Sequence, residues 1–136
     1  MRLATQHDVE GILTVLRKVW AKSPAPQMKF VDPVSAECGI RDAIHNNRAV
    51  IDGDFFVMFD VGKVWYSNET FLIEELVLRI SYDDTTGPST AVRTLDALKE
   101  RFKCAAIFAG DTQVQAMTNH YIRGGYVLLG NQLMKG

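Results

Sequence analysis

The chain has 136 residues, 47% of them hydrophobic and 23% charged, with 15 Lys plus Arg against 16 Asp plus Glu. That is the profile of one ordinary soluble globular domain over residues 1–136, long enough to bury a core without a disulfide or metal staple. A formal net charge of -1 with interspersed signs lacks the basic footprint that nucleic-acid binding or an anionic membrane surface leans on.

Cys38 and Cys104 lie far apart and show no CxxC or Cys/His spacing of a zinc site, so no metal is expected and both read as buried or half-buried free thiols. No apolar run approaches the roughly 18 residues that span a bilayer, and the opening MRLATQHDVEGI lacks the basic-then-apolar layout of a signal peptide. A cytoplasmic location without a membrane span is the expectation.

In chain order, Leu3 lies in a short strand, and Thr5 precedes an apolar stripe of Val9, Ile12, Leu13, Leu16, Val19 and Trp20, with Asp8 completing an imperfect capping box. The prolines of Lys22–Gln27 break that helix. Asp32-Pro33 starts a second helix, since a carboxylate caps and a proline suits the first helical position. Its expected apolar face is Val34, Cys38, Ile40, Ala43 and Ile44. An antiparallel meander follows: Ala49–Ile51, an Asp52-Gly53-Asp54 turn, Phe55–Phe59, then Val61-Gly62 and Lys63–Tyr66, and the long run Phe71–Ile80. A third helix is carried by Val92, Leu95, Leu98 and Phe102. It is followed by a strand over Cys104–Ala109, a polar turn at Gly110-Asp111, and a helix from about Thr112 to Arg123 that Gly124 closes in the left-handed conformation. Strands over Tyr126–Leu129 and Gln132–Met134 complete the order of an α/β (α+β) domain, a mixed sheet of six to seven strands flanked by about four helices.

This order of elements resembles the GNAT superfamily of acyl-CoA-dependent N-acetyltransferases over essentially the whole chain. Three local matches carry the resemblance. The opening Met1–Ile12 looks like the family's strand and Asp-capped first helix; Glu74-Glu75-Leu76-Val77-Leu78 before a glycine loop looks like its fourth strand and acyl-CoA loop; Tyr121-Ile-Arg-Gly-Gly-Tyr126 matches its Tyr-x-x-x-Gly-aromatic turn. The resemblance implies acetyl-CoA as co-substrate and a small-molecule or protein amine as acceptor. It also implies Tyr121 as the acid that protonates the leaving thiolate, Glu74 or Glu75 as the base, and Leu76, Val77 and Leu78 beside the cofactor.

The family's usual loop has Arg or Gln, two residues, Gly, one residue, then Gly or Ala. Here Asp84-Thr85-Thr86-Gly87-Pro88-Ser89 keeps only Gly87. A helix N-terminus behind such a glycine offers free amides to a pyrophosphate, with Thr85, Thr86, Ser89 and Thr90 as hydroxyl donors and Arg93 as a cation. Asp83 and Asp84 oppose an anion there. Thr86 or Gly87 capping an ordinary helix accounts for the same residues. Strict alternation puts Glu74 on one face with Leu72, Leu76 and Leu78, and Glu75 on the other with Phe71, Ile73 and Val77. His7, His45 and His120 read as surface residues; Asn119 and Gln115 lie on the last helix.

The loosely kept motifs are also similar to GNAT-like proteins of short-tailed bacteriophages, some of them virion-associated. That resemblance implies a catalytically degenerate interaction protein, with protein partners or virion components in place of an amine acceptor.

Overall fold

The structure, a computed structural model, describes residues 1–110 and 117–136. Five strands form one sheet in the order β1 (Arg2–Leu3), β2 (Ala49–Asp52), β3 (Phe55–Gly62), β4 (Phe71–Arg79) and β5 (Ala106–Phe108). The first four are antiparallel neighbours and β5 runs parallel to β4. Helices α1 (Val9–Lys22) and α2 (Pro33–His45) cover one face; α3 (Ser89–Arg101) and the short α4 (Thr118–Arg123) cover the other.

Local chemistry accounts for most element starts. The Asp8 carboxylate accepts from the Thr5 amide at 2.7 Å and takes the Arg2 guanidinium as a fork, 2.9 Å to each oxygen, so one 3-10 turn at Gln6–Asp8 leads into α1. Val9, Ile12, Leu13 and Leu16 are buried, as the period demands. Asp32 accepts from the Val34 amide at 3.2 Å and starts α2 with Pro33 in its first turn. The expected face of α2 is only half right: Ile40 and Ile44 are buried, whereas Val34 and Cys38 are exposed, because only the C-terminal half of the helix meets the sheet. Of the two free thiols, Cys104 alone is buried.

Three expectations are corrected. Lys63–Tyr66 is no strand but a turn-containing loop with Trp65 95% exposed. Tyr126–Leu129 and Gln132–Met134 join no strand among the described residues, whose sheet has five strands rather than six to seven. Gly124 has ordinary backbone angles (φ -80°) and Gly125 takes the left-handed turn at φ 96°; what requires glycine at 124 is crowding, since a Cβ there would lie 2.6 Å from Val92 Cγ1. The predicted start of the last helix at Thr112, and Gln115, lie outside the described residues.

One irregularity reorganises β4. Met58 pairs with Leu76 but the next residue, Phe59, pairs with Glu74, which leaves Glu75 as an extra residue in a β-bulge. A bulge reverses the alternation beyond it. Leu72 and Val77 therefore share the α3 face, while Leu76 and Leu78 lie on the α1/α2 face, contrary to the grouping of Leu72 with Leu76 and Leu78 expected from strict alternation.

Candidate functional site

The bulge lies two residues beyond the last pair that β4 forms with β5. Parallel pairing covers Phe71, Leu72 and Ile73 opposite Ala106, Ile107 and Phe108, and among the described residues it goes no further along β4. Glu74 follows that pairing directly: its carboxylate accepts from the Gly110 amide at 3.1 Å, just past the end of β5. Glu75 is exposed. Its carboxyl is pushed up from the ordinary range by loss of solvent and then by the charge of Asp60, which lies on the α1/α2 side of β3.

Two tyrosines lie on the α3 side. Tyr121, on α4, is buried in the core with Val92 and Met117, and its ring centroid is 4.9 Å from that of Tyr126. The Tyr126 hydroxyl is buried without a hydrogen-bond partner among the described residues. Burial first, and then the Asp96 and Glu74 carboxylates, push its pKa well above the usual tyrosine range, so it stays a proton donor. Tyr126 also borders a cavity of about 360 Å³ between Asp96, Lys99, β5 and Gly125. The sequence singled out Tyr126 only as the aromatic of its turn; its hydroxyl was the missed signal.

The glycine loop is held from within by Asp54, a residue read from the sequence merely as part of a turn. Asp54 is fully buried. One carboxylate oxygen accepts from the Ser81 hydroxyl at 2.5 Å and the Asp84 amide at 3.0 Å; the other accepts from the Thr86 amide at 3.0 Å and faces Arg79 Nη1 at 3.4 Å. In return the Asp54 amide donates to Thr86 Oγ1 at 3.0 Å, and Arg79 Nη2 donates to the Thr86 carbonyl at 2.6 Å. The hydrogen bond from Ser81, assisted by the two amides, holds the carboxyl below its ordinary range against the opposing effect of burial. Arg79 is stacked between Phe55 and Tyr82, 4.7 Å from each centroid.

Amides expected to face a pyrophosphate thus already hold a carboxylate. Thr85 sits in the left-handed region at φ 52° and its amide turns back to the Tyr82 carbonyl at 3.3 Å. The Gly87 and Ser89 amides donate to no acceptor among the described hydrogen bonds, and nothing lies within 4 Å of where a Gly87 Cβ would be. Arg93 leans on the Ser89 and Thr90 hydroxyls at 3.4 and 3.3 Å, and Thr90 itself is buried. Of the β4 residues, Val77 and Leu78 are buried in opposite cores and Leu76 is half-buried. His7 and His45 are exposed and His120 is half-buried. Among the described residues no three His, Cys, Asp or Glu side chains converge as metal ligands, and no helix is long and apolar enough to cross a membrane.

No protein-family model and no curated protein matches the sequence. Solved structures do match the fold. An integron cassette protein, HFX_CASS3, from the mobile metagenome of Cole Harbour Salt Marsh superposes with a TM-score of 0.68 at 13% identity, over 99% of this chain and 88% of that one. A probable acetyltransferase superposes with a TM-score of 0.62 at 9% identity, over 97% and 94% of the two chains. At these identities the likeness is one of fold.

Proposed function

We propose that the protein transfers an acyl group, acetyl in the simplest case, from acetyl-CoA to an amine. The observation that supports this reading is the bulge at Glu75, two residues beyond the last pair that β4 forms with β5, with the Glu74 carboxylate on the Gly110 amide and the Tyr121 and Tyr126 rings packed together on the α3 side, in a fold like that of a probable acetyltransferase. The amine nitrogen attacks the thioester carbonyl; a C–N bond forms, the C–S bond breaks, and the carbonyl is restored. Glu75, whose carboxyl is raised by loss of solvent and by Asp60, takes the proton of the amine, directly or through water. Tyr121 gives its proton to the departing thiolate. Positioning supplies much of the rate.

The fit of the cofactor is divided. Gly87 and Ser89 amides, the Ser89 hydroxyl and Arg93 suit a phosphate, whereas the Asp54 clamp has taken the amides of Asp84 and Thr86. Titration calorimetry with acetyl-CoA tests the proposal: saturable heat is expected, and its absence at millimolar acetyl-CoA would sink it.

The Asp54 clamp favours a second reading, a fold of this type that has lost its cofactor and serves as an interaction protein, with a virion component as one kind of partner. A specific partner co-purifying with a chain that takes up no acetyl-CoA would decide for it.

A further inference from the structure

At the opposite end of α3 lies a cavity of about 290 Å³ bordered by Asn46, Asn47, Arg48, Phe59, Arg101 and Phe102. Arg48 is its most distinctive wall. Its backbone is fixed on both sides, the amide donating to Ala43 at 2.8 Å and the carbonyl accepting from Phe59 at 3.0 Å. The guanidinium is stacked 4.7 Å from the Phe102 centroid and 6.0 Å from that of Phe59, and those two rings brace each other at 5.5 Å.

A guanidinium carries five N–H donors and no acceptor. In this half-buried residue none of the five meets a carboxylate or carbonyl among the described residues, and neither Arg48 nor Arg101 forms an ion pair there. No Asp or Glu borders the cavity. The other arginines that stack on aromatic rings or lie near acids are used differently: Arg79 donates to Thr86 and faces Asp54, and Arg2 forks onto Asp8. A cation with its orientation set by stacking, donors unspent, a second cation and two side-chain amides alongside, is a receptor for two oxygens of one anion.

We propose that this cavity binds a small oxyanion, a carboxylate or phosphate group, on the Arg48 guanidinium with Arg101 beside it. The site is independent of the acyl-transfer reading. Stacking places the guanidinium plane before the anion arrives, so little side-chain freedom is lost on binding.

The test is titration of the ¹⁵N-labelled protein with inorganic phosphate and, separately, with benzoate, following the Arg48 Nε–H resonance against a sodium chloride control of equal ionic strength. Saturable shifts with one or both anions are expected, and which anion saturates first identifies the ligand class. Arg48→Lys, which keeps charge but loses the fork, weakens binding about tenfold or more, and Arg101→Gln weakens it independently should Arg48 variants fold poorly. Shifts that track chloride, or binding unchanged in both variants, would overturn the proposal.

Discussion

Asp54 shows how much a single buried carboxylate can organise. Removing it leaves two loop amides, a serine hydroxyl and Arg79 facing a void, so Asp54→Ala is expected to lower Tm on the order of 10 °C, measured by calorimetry at pH 7. Asp54→Ser, which retains one acceptor, should lose less; equal stability of Asp54→Ala and wild type would show that the clamp is incidental. Asp8 gives the clearest pH signature. Its carboxyl is held at about 2 against an ordinary 3.8, first by the Arg2 hydrogen bonds and despite partial burial. A depressed folded pKa means stability that is present above the unfolded value and disappears as pH falls through the folded one. Urea titrations should therefore find Asp8→Asn about 1 kcal/mol less stable than wild type at pH 7, after allowance for the exposed Arg2, with the gap narrowing from pH 3.8 and closed below pH 2. Tyr121 belongs to this scale too. Tyr121→Phe should keep the fold, because the ring packs in the core, and lower kcat about 10²-fold or more in an acetyl-transfer assay while acetyl-CoA affinity holds. An unchanged kcat would remove the acid role.

At the scale of elements, the bulge in β4 is the feature on which the candidate site turns. It explains why Leu72 parts company from Leu76 and Leu78 and joins Val77 on the α3 face. Deleting Glu75 should be tolerated by the fold, because the residues on either side already occupy consecutive positions opposite Phe59 and Met58. The deletion variant is expected to melt close to wild type and to lose acetyl-CoA binding. Collapse of the fold would show instead that the bulge is needed for packing. The strand was legible from Phe71–Ile80, but its extra residue was not: a bulge is defined by two strands in register, and nothing in β4 alone marks Glu75 as unpaired.

At the scale of the whole molecule, stability is concentrated in the two cores on either side of the sheet and thins out after Tyr126. Leu98, on the inner face of α3, is fully buried, so Leu98→Ala is expected to cost about 2–5 kcal/mol. Val127, Leu128 and Leu129 are each more than three-quarters exposed; Leu129→Asp should change stability by less than about 0.5 kcal/mol. Denaturant unfolding distinguishes these, and a large loss at Leu129 would mean that the segment forms the strand its composition suggests. The sequence by itself determined what depends on neighbours a few residues away: the capped starts of α1 and α2, the buried stripe of α1, the β2 to β4 meander and the hydrophobic face of α3. These follow from periodicity and capping, which report local backbone geometry. Only the tertiary structure decided that Asp54 fills the loop, that the bulge falls at Glu75, and that among the described residues the last apolar segment pairs with no strand and Arg48 has an aromatic wall but no acid. Each is a relation between residues distant in the chain, from the 32 positions that separate Asp54 and Thr86 to the packing of Arg48 on Phe102, and such relations exist only once the chain has folded back on itself.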